Sequence, residues 1–156
     1  MPILPLADFV SSLPRAGALL GVDPGKKRIG VAVSDPDRRI AAPLDTIARA
    51  KFAEDAAKLF ALYDTRKCAG IVIGLPLNMD GTVGPSAQAA TAFARNLIAS
   101  RDIAVMMWDE RLSTAAVTRA LIEADTSRAS REKLVDKAAA AYLLQAALDR
   151  MIEMEN

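Results

Sequence analysis

Four carboxylates stand where predicted strands or helices begin or end. Asp23 ends the apolar run ALLGV, Asp109 and Glu110 follow the run IAVMMW, and Asp136 lies at the start of the last predicted helix. Ligands gather at the carboxyl ends of parallel strands, so Asp23 and Glu110 share one sheet edge if their strands run parallel. The last helix then brings Asp136 beside them.

Such a constellation of carboxylates is suited to holding a divalent cation. Three converging carboxylates repel one another, and a divalent cation removes that repulsion. Their hard oxygen ligands favour Mg²⁺ or Mn²⁺ over Zn²⁺. Two such ions about 3.5–4 Å apart activate water and stabilise the leaving oxygen of a phosphodiester. The hypothesis is a phosphodiester hydrolase in which Asp23, Glu110 and Asp136 are the metal ligands and catalytic residues.

Each carboxylate taken singly also has a structural explanation. Asp23, which precedes a Pro-Gly pair, is suited to organising a turn. Glu110 lies next to Arg111 and could form an ion pair with it, and Asp136 near a helix start favours the helix dipole. No single position is specific, and the metal-site hypothesis rests on the coincidence of all three.

The composition narrows the chemistry by what it lacks. The 156 residues include no His, which excludes Ser-His-Asp and Cys-His catalysis and zinc sites built on imidazole. A single cysteine, Cys68, leaves no intramolecular disulfide and fits a cytoplasmic location. No uncharged apolar run reaches the roughly 18 residues that a membrane helix needs. With 20 Lys and Arg against 19 Asp and Glu, a nucleic acid must be held by a local basic patch.

Side chains close to the acids are candidates for holding a polyanion. The predicted hairpin tip after Asp23 is basic, and the segment GLPLNMDG offers small and amide residues at the same edge. A solvated hairpin tip and a structural loop are the alternative interpretations. We expect four residues to contact substrate phosphates or line the groove: Lys26, Arg28, Asn78 and Arg111.

The elements that must position these residues follow from apolar periodicity and turn residues. Strands are predicted over 18–22, 29–34, 38–47, 69–76 and 103–111, and helices over 51–67, 85–100, 113–124 and 135–151. The polar segment ADTSRASREK is predicted to be a loop. The order β-β-β-α-β-α-β-α-α predicts an α/β fold, a five-stranded mixed sheet flanked by helices. Residues 1–16, with three prolines, are expected to form a loosely attached N-terminal arm on a single domain over 17–156.

Four segments in this order resemble the YqgF family of bacterial proteins, described as pre-16S ribosomal RNA nucleases and earlier labelled Holliday junction resolvases. They are GVDPGKKRIGVAVSD, IVIGLPLNMDGTVGPSA, WDERLSTAAV and KLVDKAAAAYLLQAALD. The match runs from about Leu19 to Asp149 and leaves the arm outside. It implies an RNase H-like fold whose acidic residues are Asp23, Glu110 and Asp136. The implied activity is metal-dependent cleavage at the 5′ end of immature 16S rRNA during small-subunit maturation.

One departure separates the sequence from junction resolvases of the same fold. Those carry a Glu at the end of the fourth strand, where this chain reads Gly74, Leu75 and Pro76 with no acid, and the second acid has moved to the fifth strand. The resolvase substrate preference therefore does not transfer safely. Two alternatives stay open, a DNA nuclease for four-way junctions that would need a dimer and a non-catalytic RNA-binding factor of ribosome assembly. The expected partner is the small-subunit precursor, and the expected state is a monomer or weak dimer.

Overall fold

A computed structural model of the chain describes residues 2–112 and 128–155, with the side chains of the second range described from residue 136 onward. The described elements follow one another as α1 (Leu6–Ser12), β1 (Ala18–Pro24), β2 (Arg28–Ser34), β3 (Ala41–Ala48), α2 (Phe52–Thr65), β4 (Cys68–Leu75), α3 (Pro85–Ser100), β5 (Val105–Asp109), a 3₁₀ turn (Glu110–Leu112) and α4 (Arg128–Met154).

The five strands form one mixed sheet in the order β3-β2-β1-β4-β5. The meander β1-β2-β3 is antiparallel, whereas β4 pairs parallel to β1 and β5 pairs parallel to β4. The carboxyl ends of β1, β4 and β5 therefore lie at the same edge. This arrangement confirms the fold class expected from the order of apolar runs and turn residues.

Helices cover both faces of the sheet because alternate strand residues point to opposite sides. On one face, Leu20 and Ile73 pack in a core with Leu59 of α2 and Phe93 of α3. The other face has a second core beneath α1 and α4, which includes Leu19, Val72, Phe9, Leu143 and Leu144. In the ranges that the structure covers, no helix has both the length and the apolar character needed to span a membrane.

Several predicted boundaries differ from the observed ones, and two of these differences bear on the site. The fifth strand ends at Asp109, and Glu110 and Arg111 belong to the 3₁₀ turn. The last helix begins at Arg128, so part of the segment predicted as a loop is helical. Its Arg, Ala, Glu and Lys residues are good helix formers, and a polar stretch of sequence suits a helical turn as well as a loop. Asp136 therefore lies inside the helix. The helix predicted over 113–124 falls outside the described residues.

The N-terminal segment is packed on the sheet and is not loosely attached. Phe9 of α1, a helix the sequence did not predict, is fully buried. Ile3 forms a parallel bridge with Val105, and the Leu4 N–H donates to the Val105 carbonyl at 2.9 Å. Arg38 donates to the carbonyl of Gly17 at 2.9 Å. The segment thus covers the outer edge of β5, which would otherwise offer unpaired backbone groups.

Cys68, at the start of β4, is expected to react slowly with alkylating agents. Burial raises the pKa of its thiol from 9.0 to about 11, and only the thiolate is nucleophilic. Near pH 8 we expect iodoacetamide to modify the native protein much more slowly than the urea-unfolded protein. The native rate should rise as the pH approaches the raised pKa. Equal rates for native and unfolded protein near pH 8 would contradict this prediction.

Candidate active site

A row of three residues crosses the central strands on the face covered by α4. The register of β1 and β2 pairs Asp23 with Gly30. The register of β1 and β4 pairs Val22 with Ile73, so Gly74 is the next residue beside Asp23. Asp23 is only 7% exposed. We call this row of Gly30, Asp23 and Gly74 the shelf, because both residues beside the carboxylate lack side chains.

Asp136 is held against one end of the shelf by the packing of α4. A Cβ atom on Gly30 would overlap the backbone carbonyl of Asp136 and lie 3.2 Å from its Cα. A Cβ on Gly21, also on β1, would lie 2.8 Å from the Cβ of Leu144. The small residues of the sheet therefore let the helix approach closely. The Asp136 carboxylate accepts a hydrogen bond through Oδ2 from Nε of Arg28 at 2.9 Å.

Glu110 reaches the other end of the shelf from the turn after β5. Its Oε1 is shielded from solvent. A Cβ on Gly74 would overlap this oxygen and lie 3.3 Å from Cδ of Glu110. The carboxyl group thus lies directly over Gly74. The three carboxylates singled out from the sequence therefore come to one end of the sheet, from β1, the turn after β5 and α4.

The carboxylates that meet at the shelf fit a divalent cation in type. They offer oxygen donors, which Mg²⁺ and Mn²⁺ prefer. Asp23 is buried and Oε1 of Glu110 is shielded, so a cation there would offset repulsion in a medium of low dielectric. Across residues 2–112 and 128–155, no three acidic groups are yet close enough to hold one ion. Asp136 is paired with Arg28, and this carboxylate would have to exchange the guanidinium for the ion. The residues fit the ion in type, and they come from elements that meet at one sheet end.

The basic residues predicted to contact substrate have different surroundings. Lys26 is exposed in the turn after β1. Arg28 is engaged with Asp136 and lies within the site. Its contact with a substrate phosphate stays a prediction, and its observed contact orients a carboxylate of the site.

Arg111 and Asn78 lie on the loop side of the site and are both exposed. Nη2 of Arg111 donates to Asp109 at 2.8 Å, and the guanidinium lowers the pKa of that carboxyl. Nη1 of Arg111 reaches the carbonyl of Met79 at 3.3 Å. Nδ2 of Asn78 donates to Oγ1 of Thr82 at 2.9 Å. The bond from Arg111 to Met79 ties the loop after β4 to the turn that carries Glu110.

Arg49 also contributes to the site, and the sequence analysis did not identify it. Its Nη1 donates to the carbonyl of Gly25 at 2.8 Å, and its Nε lies 3.9 Å from Oδ2 of Asp55. Asp55 is 1% exposed, so it is a fixed anchor on α2. Arg49 therefore fastens the turn that follows Asp23. No local pattern indicates this role, because strand pairing alone brings Arg49 to that turn.

Comparison with known proteins decides the family. Residues 17–150 match RuvX, a family described as Holliday junction resolvase. A protein of Cereibacter sphaeroides strain KD131, named "Putative pre-16S rRNA nuclease", is 59% identical over 94% of this chain and 91% of its own. A protein of the same name from Rhodopseudomonas palustris strain BisB5 is 54% identical over 98% of this chain and 96% of its own.

The chain belongs to the RuvX family. This confirms the resemblance seen in the four motifs and makes the chain a nuclease, an enzyme that hydrolyses phosphodiester bonds.

Solved structures agree with the RNase H-like fold of this RuvX-family chain. A Thermus thermophilus RuvC structure in complex with a Holliday junction substrate has a TM-score of 0.52 and 14% identity, covering 86% of this chain and 96% of its own. A second Thermus thermophilus RuvC structure gives the same values. At this identity the likeness concerns the fold alone.

Replacing Gly30 with Ala is expected to lower both the stability and the activity of this RuvX-family nuclease. The added methyl group meets the backbone of Asp136, which cannot rotate away. Overpacking of this kind reduces the free energy of unfolding by about 1–3 kcal/mol. The measurements are urea unfolding and cleavage rate. Gly84→Ala serves as a control. Its added methyl group would lie 3.2 Å from the Asn78 side chain, and this variant should change the free energy of unfolding and the cleavage rate less than Gly30→Ala does. Equal effects of the two variants would contradict the role given to Gly30.

Proposed function

We propose that this chain is a ribonuclease that requires Mg²⁺ or Mn²⁺ and cleaves near the 5′ end of precursor 16S rRNA in the small-subunit precursor. The observation that carries the proposal is the shelf, where carboxylates from three separate elements converge on one sheet end. The name of relatives that are 54–59% identical to this chain supports the RNA substrate. A cytoplasmic monomer or weak dimer is part of the proposal.

Asp23, Glu110 and Asp136 are the residues that would hold the ion. When bound, a divalent ion supplies a Lewis acid for the phosphate oxygens and lowers the pKa of water. Asp23 lies at the centre of the shelf and fixes the position, with Glu110 over one neighbouring glycine and Asp136 over the other. Arg28 is the cation that pairs with the Asp136 carboxylate in the structure, a place that the ion would take. The sequence has no His, and the carboxylates need no imidazole partner for this chemistry.

The substrate path runs across the carboxyl ends of β1, β4 and β5. Lys26 lies in the turn after β1, and Arg111 and Asn78 lie beyond β5 and β4. These side chains therefore flank the shelf on two sides. We assign them to contacts with the RNA backbone, whose phosphates they would position without reading the base sequence. We assign Arg28, beside Asp136, to the same kind of phosphate contact.

The test is cleavage of a labelled precursor 16S rRNA fragment by the purified protein. The reactions contain Mg²⁺, Mn²⁺ or EDTA, and a mature 16S fragment that lacks the precursor extension serves as the matched substrate. We expect cleavage of the precursor with either metal and none with EDTA. Metal-independent binding of the precursor without any cleavage would favour the RNA-binding assembly factor and contradict the ribonuclease.

A second candidate function is cleavage of four-way DNA junctions. The description of the matching family and the RuvC-like fold favour it. Symmetric cleavage of a junction needs two sites, and hence two copies of the chain. Gel filtration with and without a junction, beside cleavage of junction and linear duplex of the same sequence, tests this candidate. A dimer that cuts the junction and leaves the precursor RNA intact would replace the ribonuclease proposal.

A further inference from the structure

We propose that Gly74 is a positioning residue for Glu110. Its missing side chain leaves the volume into which the Glu110 carboxyl group reaches from the neighbouring strand. This places the Glu110 carboxyl group beside Asp23 on the shelf. The consequence for cation binding rests on the function proposed above, whereas the packing relation between the two residues does not.

The strand register shows why Glu110 needs this space. Parallel pairing of β4 and β5 matches Gly74 with Trp108 and Leu75 with Asp109. Glu110 lies one residue past the paired strand, in the 3₁₀ turn. Its side chain therefore has to return over the end of β4 to reach the shelf. A Cβ on Gly74 would overlap Oε1 of Glu110, which shows that the returning carboxyl group occupies this position.

Residue 74 has to be glycine because a side chain there would collide with its neighbours, and not because of its backbone conformation. Gly74 is paired within β4, and its φ is not positive, unlike that of Gly17 and Gly81. The space is also bordered by α4, because the same Cβ would lie 3.0 Å from Cδ2 of Leu143. A side chain at residue 74 would thus be wedged between Leu143 and the Glu110 carboxyl group. Of the two, the end of the Glu110 side chain has the greater freedom to leave.

Gly70 provides a matched control on the same strand. It lies four residues before Gly74, so its Cβ would point to the same face of the sheet. That Cβ would lie 2.9 Å from Cζ of Phe9 and 3.2 Å from Cδ2 of Leu13. Gly70→Ala therefore imposes a comparable crowding of side chains without touching a carboxylate of the site.

The first experiment measures Mn²⁺ binding by calorimetry for the wild type, Gly74→Ala, Gly70→Ala and Glu110→Ala. We expect Gly74→Ala to weaken Mn²⁺ binding by about tenfold or more, the effect typical of residues that orient a metal ligand. Gly70→Ala should bind as the wild type does. The double variant Gly74→Asp with Glu110→Ala places a new carboxylate in the volume that the Glu110 carboxyl group occupies. It should recover part of the Mn²⁺ affinity lost in Glu110→Ala. Wild-type affinity in Gly74→Ala would overturn the proposal.

The second experiment is a double-mutant cycle for unfolding in urea with EDTA present. Gly74→Ala should destabilise the protein strongly when Glu110 is present and less when residue 110 is Ala, because the crowded partner is gone. Gly70→Ala should have the same effect in both backgrounds. Equal destabilisation by Gly74→Ala in both backgrounds, or failure of both Gly74→Ala proteins to fold, would overturn the proposal.

The two experiments separate this proposal from the proposed function. If the wild type binds no Mn²⁺ and cuts RNA in EDTA, the metal-dependent function is wrong, and with it the role of Gly74 in cation binding. The cycle in EDTA still decides whether Gly74 provides the space for Glu110. If the wild type binds Mn²⁺ and the cycle shows no coupling, the function stands and the positioning role is wrong.

Discussion

Replacing Asp23 with Asn is expected to abolish metal-dependent cleavage while leaving the protein folded. Asp23 is the central carboxylate of the shelf, and the amide has nearly the same shape but no charge to attract a cation. Metal ions supply several kcal/mol of stabilisation to developing charge in the transition state. Since each 1.36 kcal/mol changes the rate tenfold, the expected loss is about a thousandfold or more.

The measurement is the cleavage rate of the labelled RNA precursor in saturating Mg²⁺ and Mn²⁺. Circular dichroism and the urea midpoint report whether the fold is retained. The matched control is Asp37→Asn, an exposed aspartate between β2 and β3, which should cut as fast as the wild type. Unchanged metal-dependent cleavage by folded Asp23→Asn would remove Asp23 from the active site.

Replacing Phe9 with Ala is expected to cause the largest loss of stability among the single changes considered. Phe9 is fully buried and packs against Gly70 beneath α1. Truncating a buried Phe leaves a cavity and typically lowers the free energy of unfolding by about 3–5 kcal/mol. Phe9 lies outside residues 17–150, which match the family. The segment that carries Phe9, outside the residues that match the family, is therefore expected to be needed for the stability of this chain.

Urea unfolding of Phe9→Ala, Phe9→Leu and Ile40→Ala measures this effect. Phe9→Leu keeps most of the buried volume and should lose less stability. Ile40 is 69% exposed, so its truncation should have little effect. The folded fraction of Phe9→Ala should keep its cleavage rate, because α1 does not contribute a carboxylate to the shelf. A stability of Phe9→Ala equal to that of Ile40→Ala would contradict the packing of this segment.

Most of the fold could be predicted from local patterns in the sequence. The β-branched run of β4 and the Pro-Gly turn after β1 each predict their own element, because strand and turn preferences depend on a few neighbouring residues. The boundaries of β5 and α4 were less predictable. A polar helical turn and a polar loop have similar composition, and the start of α4 depends on how the helix packs on the sheet.

The candidate site was predictable as a set of residues but not as a geometry. The positions of Asp23 and Glu110 after apolar runs indicated that both would reach the same sheet edge, and the parallel pairing of β1, β4 and β5 provides that edge. The ion pair of Arg28 with Asp136 was not predictable, because the two residues are 108 positions apart. The Asp23→Asn and Gly74 variants test whether the three carboxylates act together on a metal ion.

The sequence by itself determined which chemistry was available, namely carboxylates without His, and the order of strands and helices that carries them. Tertiary structure alone decided that Phe9 is core, that Arg49 fastens the turn after Asp23, and that two glycines lie beside that carboxylate. The physical reason is the range of the interactions. Turn and strand preferences act between near neighbours in the chain, whereas close packing depends on which distant backbones approach one another. A glycine that makes space for a distant carboxylate has no local signature, since the neighbour it accommodates is chosen by the fold.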